Sequence, residues 1–183
     1  MTGDVTVISG PTAVGKGTVV KALRARHPEV WVSVSATTRP PRPGEVDGEH
    51  YLFVSAREFD DLVASDGLLE WALVHGVDRY GTPAAPVQAA VAADRRVILE
   101  IDLQGARQVR EHLPEARLVF IAPPSQETLV KRLEGRGTET PEQMARRLRT
   151  AEGELAAAAE FDHVIVNDDL GSAVDELVEL LGL

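Results

Sequence analysis

The segment Gly10-Pro11-Thr12-Ala13-Val14-Gly15-Lys16-Gly17-Thr18 has the residue types and spacing needed to hold phosphate. Glycines let backbone N–H groups converge on phosphate oxygens without a Cβ in the way. The N-terminus of a following helix adds its positive end, and Lys16 supplies a point charge for the outer phosphates. The context fits, because an apolar run ends at Ser9 and helical spacing begins at Gly15, so the loop joins a strand to a helix. Loops of this kind usually carry Ser or Thr after the lysine as a magnesium ligand. Here Gly17 occupies that place and the hydroxyl comes one residue later, on Thr18. A Mg²⁺ ion at such a loop is therefore expected to be held mostly by phosphates and water, with its direct protein ligands unassigned.

A second constellation is Ser35-Ala36-Thr37-Thr38-Arg39-Pro40-Pro41-Arg42-Pro43-Gly44-Glu45, followed by Tyr51. Two arginines on a proline-stiffened segment can present their forks to one anion at little ordering cost, with Ser and Tyr hydroxyls completing a cradle. Taken alone, the segment reads equally well as a solvated Pro-rich loop. A third group is acidic: Glu70 in Leu68-Leu69-Glu70-Trp71, and Glu100 and Asp102 at the end of Val97–Asp102. A carboxylate that accepts two parallel hydrogen bonds suits the N1–H and N2–H₂ edge of guanine, whereas adenine offers an acceptor at N1. For any one of these acids, a surface or capping role is the alternative. A fourth is Arg132-Leu133-Glu134-Gly135-Arg136-Gly137-Thr138-Glu139, with Arg146-Arg147 beyond it. Glycines around Arg136 suggest a mobile flap whose arginines could neutralise a transferring phosphoryl group; the alternative is an exposed helix hairpin with salt bridges.

The elements that would position these groups alternate between short apolar runs and longer amphipathic ones, the pattern of a parallel sheet covered by helices. Strands are expected at Val5–Ser9, Trp31–Ser35, Val97–Ile101, Arg117–Ile121 and Val164–Val166. Helices are expected at Gly15–Arg26, Gly105–His112, Ser125–Leu133 with Ser125 as cap, Pro141–Glu160 with Thr140 as cap, and Ser172–Leu181. From Ala36 to about Val87 the alternation breaks. That stretch reads as a small inserted region of mixed α and β character: strand Tyr51–Val54, helix Arg57–Ala64, strand Leu69–Val74 and a turn at Gly81-Thr82-Pro83.

A length of 183 residues suits one domain, and 44% hydrophobic with 26% charged residues is ordinary for a globular chain. A formal charge of −10 argues against a nucleic-acid partner, which asks for basic stripes. The absence of cysteine removes thiolate catalysis, disulfides and Cys-ligated zinc. No apolar run approaches a membrane span, and no basic head with a long apolar segment precedes Val5–Ile8, so a cytoplasmic protein is expected.

These segments in this order resemble guanylate kinases across nearly the whole chain: Gly10–Thr18, Ser35–Tyr51, Leu69–Thr82, Leu99–Gly105, Arg132–Glu139 through Leu148, and Val164–Asp169. The most specific is Ser-x-Thr-Thr-Arg-x-Pro-Arg with Gly-Glu after it. The resemblance implies an α/β P-loop kinase core with a five-stranded parallel sheet flanked by helices. It also implies a single domain over 1–183, with its core at 1–35 and 88–183, a small α+β GMP-binding insert at about 36–87 and a lid at about 134–150. It implies conversion of GMP, and of deoxy-GMP, to the diphosphate with ATP and Mg²⁺. Ser35, Arg39, Arg42, Tyr51 and Tyr80 would hold the GMP phosphate, and Glu70, Thr82, Glu100 and Asp102 would read guanine or lie beside it. Gly10, Pro11, Thr12, Ala13, Val14, Gly15, Lys16, Gly17 and Thr18 would bind ATP, with Asn167 near the adenine. Lys16, Arg136 and Arg147 would stabilise the charge in flight.

Val74-His75-Gly76-Val77-Asp78-Arg79 is one residue longer than the commoner form of this family, which bears on the placing of Tyr80 and Thr82. Three other readings share features with the chain. An adenylate kinase has the loop but not the Ser35–Tyr51 cradle. A GTPase would match Asp102-Leu103-Gln104-Gly105 but would want a lysine after Asn167, where Asp168 stands. A non-catalytic guanylate-kinase-like module that binds partner proteins typically lacks the phosphate loop. Oligomeric state is not legible.

Overall fold

Val5–Ser9 (β1) is buried along its whole length, so this strand needs cover on both faces. In the computed structural model, which describes residues 5–74, 76–134 and 141–183 except for the side chains of 134 and 141–148, that cover is complete. Five parallel strands lie in the order β2 (Trp31–Val32), β7 (Val97–Glu100), β1, β8 (Arg117–Ala122) and β9 (His163–Val166). Val7 lies beside Leu99 on one side and Leu118 on the other, and Ile8 beside Glu100 and Val119. Alternate residues supply the two faces. Ile8, Ile98, Val119 and Ile121 meet Val19, Val20 and Leu23 of α1 (Lys16–Arg26) and Val174, Leu177 and Leu181 of α7 (Leu170–Leu181). On the other face Val5, Val7, Val97, Leu99 and Leu118 meet Val87 and Ala90 of α3 (Ala84–Ala92) and Ala106 and Val109 of α4 (Leu103–His112). At about 25 cal/mol per Å² of apolar surface, two such faces are the main source of stability.

A second sheet of four strands runs β4 (Leu52–Phe53), β3 (Ala36–Thr37), β6 (Asp78–Pro83), β5 (Leu68–Val74). β3 and β4 are parallel and the other pairs antiparallel. Helix α2 (Ala56–Ala64) opens on a reciprocal cap between Ser55 and Glu58 and buries Phe59 edge-on against Trp71. The turn expected at Gly81-Thr82-Pro83 is instead the end of β6. Gly81 is there for close approach: a Cβ would lie 2.9 Å from the Glu70 carbonyl and 2.9 Å from the Trp71 Cβ. Pro83 is tolerated as the last strand residue.

Other boundaries shift by small amounts. The strand expected over Trp31–Ser35 stops at Val32, although Ser33 still donates to the Ile98 carbonyl, and Ala36–Thr37 joins the second sheet. The final helix begins at Leu170, because Asp169 caps it through the Ser172 N–H at 2.8 Å. Ser125 accepts from the Thr128 N–H ahead of α5 (Gln126–Glu134). Helix α6 covers Pro141–Ala156 and tightens into a 3₁₀ turn at Ala157–Glu160. Its expected cap, Thr140, lies outside the described residues. No helix among the described residues is long and apolar enough to cross a membrane.

Candidate active site

The Gly10–Thr18 loop leaves the carboxyl end of β1, where open α/β sheets place their ligands, and feeds α1. Its shape depends on positive φ at Gly10 (144°), Ala13 (66°) and Gly15 (98°). A Cβ at Gly10 would stand 2.3 Å from the Ile121 carbonyl oxygen, so only glycine lets the loop pass over β8. Lys16 folds back over the loop, its ammonium donating to the Gly10 carbonyl and, at 3.1 Å, to that of Pro11. Around the loop lies a cavity of about 620 Å³ lined by Thr12, Gly15, Lys16, Gly17, Thr18 and Glu100, among others.

Three groups from the last third of the chain hold this loop. Asn167, buried, donates from its amide to the Val14 carbonyl at 2.8 Å, and Arg132 donates to the same carbonyl at 3.1 Å and to that of Asn167 at 3.0 Å. Ala13 packs on the cluster of Leu129, Leu133 and Ala151, which joins α5 to α6. Glu154 of α6 accepts from the Thr12 N–H; burial pushes its carboxyl up, and Lys16 and that N–H offset part of the rise. One of its oxygens is buried with no hydrogen-bond partner. Asn167, expected near the adenine, thus supports the loop from behind.

A second cavity, of about 220 Å³, opens between the two sheets and is lined by Lys16, Ser35, Tyr51, Tyr80, Glu70, Glu100 and Asp102. Residues expected from distant segments therefore meet in one place. Lys16 and Glu100 border both cavities. Glu100 ends β7 in register with Ile8, and its burial raises its carboxyl pKa against the pull of the Lys16 ammonium.

The extra residue between β5 and β6 does not disturb the register that matters. Glu70 pairs with Thr82 and Ala72 with Tyr80. Directly paired residues point to one face, so the Thr82 hydroxyl donates to Glu70 Oε1 at 2.7 Å. Glu70 is 4% exposed, and burial, reinforced by the charge of Asp102 and opposed by Thr82, pushes its carboxyl up to about 7. Asp102 caps α4 through the Gly105 N–H at 2.8 Å. Gly105 is needed for space: a Cβ there would lie 2.3 Å from Glu70 Oε2.

Arg39 is 7% exposed and nearly saturated. Its Nε donates to the Tyr80 hydroxyl at 3.0 Å, Nη1 to the Pro40 carbonyl at 2.8 Å, and Nη1 and Nη2 to the two oxygens of Glu45 at 2.7 Å each. The guanidinium also lies over the Tyr51 ring at 5.0 Å. The paired carboxylate holds the Arg39 charge in place, and Arg39 with the Arg42 N–H holds Glu45 down to about 2. Of the five N–H groups of Arg39, one remains for an incoming anion. Arg42 is exposed. Neither arginine is among the residues named above for the second cavity, and Thr82 stands behind Glu70. Arg136 lies outside the described residues, and so does the side chain of Arg147, which α6 carries.

Glu45, Gly105, Arg132 and Glu154 were not among the expected site residues. Glu45 carried a signal, as the acid that closes the Arg-Pro-rich segment. Gly105 carried a weaker one, as a glycine in the first turn of a helix, and the roles of Arg132 and Glu154 depend on packing that no spacing reveals.

Magnesium chemistry can be tested against the donors present. Gly17 leaves a gap facing Glu100, where a Cβ would be 3.4 Å from Oε1, and Thr18 is exposed on the same cavity. Among the described residues no group of three or more acids or histidines could hold a metal alone. One hydroxyl and one carboxylate are hard oxygen donors, and they fit a cation carried mainly by phosphates and water.

A guanylate kinase family profile matches residues 2–182. The guanylate kinase of Cutibacterium acnes is 64% identical over 184 residues, covering 100% of this chain and 92% of that protein. That of Nocardia farcinica is 61% identical over 179 residues, covering 97% and 93%. The crystal structure of guanylate kinase from Anaplasma phagocytophilum superposes with a TM-score of 0.81 at 32% identity, covering 98% of this chain and 85% of that one. A shikimate kinase from Bacteroides thetaiotaomicron, at 16% identity and a TM-score of 0.51, shares the fold alone. A profile match over residues 2–182, relatives 64% and 61% identical along nearly the whole chain, and a fold whose glycine loop and second cavity meet at Lys16 and Glu100 place the chain in the guanylate kinase family.

Proposed function

We propose that this protein transfers the γ-phosphoryl group of ATP to GMP, and to deoxy-GMP, giving ADP and the guanosine diphosphate. The observation that carries this reading is the pair of cavities sharing Lys16 and Glu100. The cavity around Gly10–Thr18 takes the ATP phosphates on converging N–H groups. The cavity between the sheets takes GMP, its phosphate toward Ser35, Tyr51, Tyr80, Arg39 and Arg42. Its guanine lies toward Glu70, Thr82 and Asp102, with Glu100 between base and loop. Asn167 serves the ATP side by holding Val14.

An oxygen of the GMP phosphate attacks the γ-phosphorus in line, and the bond to the β–γ bridging oxygen breaks as ADP leaves. The nucleophile is already anionic, so no general base is required; positioning and charge stabilisation supply the rate. Lys16 exchanges its loop carbonyls for phosphate oxygens. By the family resemblance, Arg136 and Arg147 join it. Glu45 keeps Arg39 flat beneath the acceptor phosphate, and the Tyr80 hydroxyl, accepting from Arg39, is free to donate its own proton onward. Glu100 and Thr18 are hard oxygen donors on this cavity that would meet a Mg²⁺ ion held mainly by phosphates and water, and the ion would supply neutralisation of phosphate charge. A formal charge of −10 fits a cytoplasmic enzyme that works on small nucleotides rather than on nucleic acid.

A coupled assay with ATP, magnesium and GMP, deoxy-GMP, AMP, UMP or CMP tests the reading. ADP formation should depend on the guanine nucleotides. AMP-dependent turnover of equal size, or ADP formation without an acceptor, would overturn it.

A further inference from the structure

Glu70 is held along its backbone as well as by Thr82. It lies on β5, the outer strand of the four-stranded sheet, so alternate residues of β5 turn their backbone N–H and C=O groups away from β6. At Trp71 both of these outward groups are taken by one side chain of the neighbouring helix: Gln108 Oε1 accepts from the Trp71 N–H at 3.1 Å, and Gln108 Nε2 donates to the Trp71 carbonyl at 2.7 Å. An N–H only donates and a C=O only accepts, so the orientation of the amide is fixed by its partners. One turn later, His112 Nδ1 meets the Leu69 carbonyl at 3.1 Å. The spacing matches, because two strand residues advance about 6.6 Å and four helix residues about 6 Å. Residues 108 and 112 of α4 thus pair with 71 and 69 of β5, as an antiparallel strand would. One turn earlier on the same helix, Gly105 leaves the space that Glu70 Oε2 fills.

We infer that Gln108 is a specificity-determining positioning residue, the clasp that fixes the β5 backbone on α4 and so aims Glu70 at the guanine edge. The inference rests on Glu70 reading guanine, as proposed above. Gln108 touches neither substrate nor reacting atoms. It sets where the carboxylate stands relative to the large sheet and to Lys16, which opens α1 after β1. Trp71 is 40% exposed, so water can take over both hydrogen bonds when Gln108 is replaced. The loss is then one of position rather than of folding.

The test compares GMP with inosine monophosphate, which keeps N1–H and lacks the 2-amino group that Glu70 would also bind. Steady-state kcat and KM are measured for both acceptors at saturating ATP with the wild type, Gln108→Leu, Gln108→Glu and Glu70→Gln. Gln108→Leu should lower the GMP-over-inosine preference in kcat/KM by about tenfold, mainly through KM for GMP, with KM for ATP unchanged. Gln108→Glu should fall between it and the wild type, because its carboxylate still accepts from the Trp71 N–H. If Gln108→Leu does not fold, the Glu variant decides, by a lowered preference or an unchanged one. A wild-type preference in the Gln108 variants beside a collapsed preference in Glu70→Gln would overturn the clasp alone. So would equal losses for both acceptors and for ATP. An unchanged preference in Glu70→Gln would instead overturn Glu70 as the guanine reader, and the clasp with it.

Discussion

The two cavities that meet at Lys16 are built in opposite ways. The donor side is one run of nine residues, Gly10–Thr18, that leaves β1 and enters the first turn of α1, shaped by its own backbone and braced from behind by Asn167 and Arg132. The acceptor side draws Ser35, Tyr51, Glu70, Tyr80 and Asp102 from a span of nearly seventy residues, and polar side chains do the bracing: the Glu45 carboxylate on Arg39, the Thr82 hydroxyl on Glu70. A backbone site changes little when one side chain is altered outside it. A side-chain site inherits the fragility of each hydrogen bond, which is also what lets it choose one base.

The largest effect expected is on the residue common to both. Lys16→Ala should lower kcat by on the order of 10³-fold while the melting temperature moves by no more than a few degrees, since the ammonium's work is done on transferring charge. Near-normal turnover in this variant would break the account of a shared centre. Gly105→Ala comes next and should separate the two sides. The new Cβ displaces the Glu70 carboxylate, a flexible end, while alanine favours the helix. Turnover of GMP should fall by about 10²-fold in kcat/KM, and ATP affinity by calorimetry should be unchanged.

Titration separates the sides further. If Glu70 reads guanine as proposed, it must be ionised to accept two hydrogen bonds from the base, and its carboxyl is pushed from 4.5 up to about 7. KM for GMP should therefore rise as pH falls below about 7, approaching tenfold per unit. Glu70→Gln should remove that dependence while leaving the contribution of the nucleotide phosphate. Stability moves the other way. The folded state binds the proton more tightly than the unfolded chain, so this group stabilises the free protein as pH falls from about 7 toward 4.5 and the gain is lost on return, on the order of 3 kcal/mol in all. Denaturant midpoints of wild type and Glu70→Gln across that range check the sign. The smallest effect belongs to neither cavity: Arg107→Ala breaks an exposed pair with Glu160 and should leave the denaturant midpoint and the kinetics essentially unaltered.

The same contrast explains what was legible in the sequence. The phosphate loop could be read because its chemistry is contiguous and its strand-then-helix context is local. All five strands of the large sheet were recognisable as apolar-rich runs: β1, β7 and most of β8 are buried on both faces, whereas β9, at the edge of the sheet, is exposed at three of its four residues and was legible from its β-branched Val-Ile-Val alone. The second sheet was less so. Ala36–Thr37 and Leu52–Phe53 are two residues each and make sense only in the sheet, the first between β6 and β4 and the second beside β3, and Gly81-Thr82-Pro83 carried turn residues where close packing against Trp71 required a glycine. Glu70 was legible as an acid on a strand, but its partner Thr82, its neighbour Gly105 and its clasp Gln108 belong to other elements. That Arg39 is already committed to Glu45, leaving Arg42 as the exposed arm, follows from a donor count that needs coordinates.

The central claim is that donor and acceptor cavities are one continuous site joined at Lys16 and Glu100. Calorimetry with a compound that links adenosine to guanosine through a chain of phosphates tests it directly. One molecule should bind per chain, at least about 10²-fold more tightly than either ATP or GMP, and exclude both. Affinity no better than that of ATP, with GMP still able to bind beside it, would contradict the shared site.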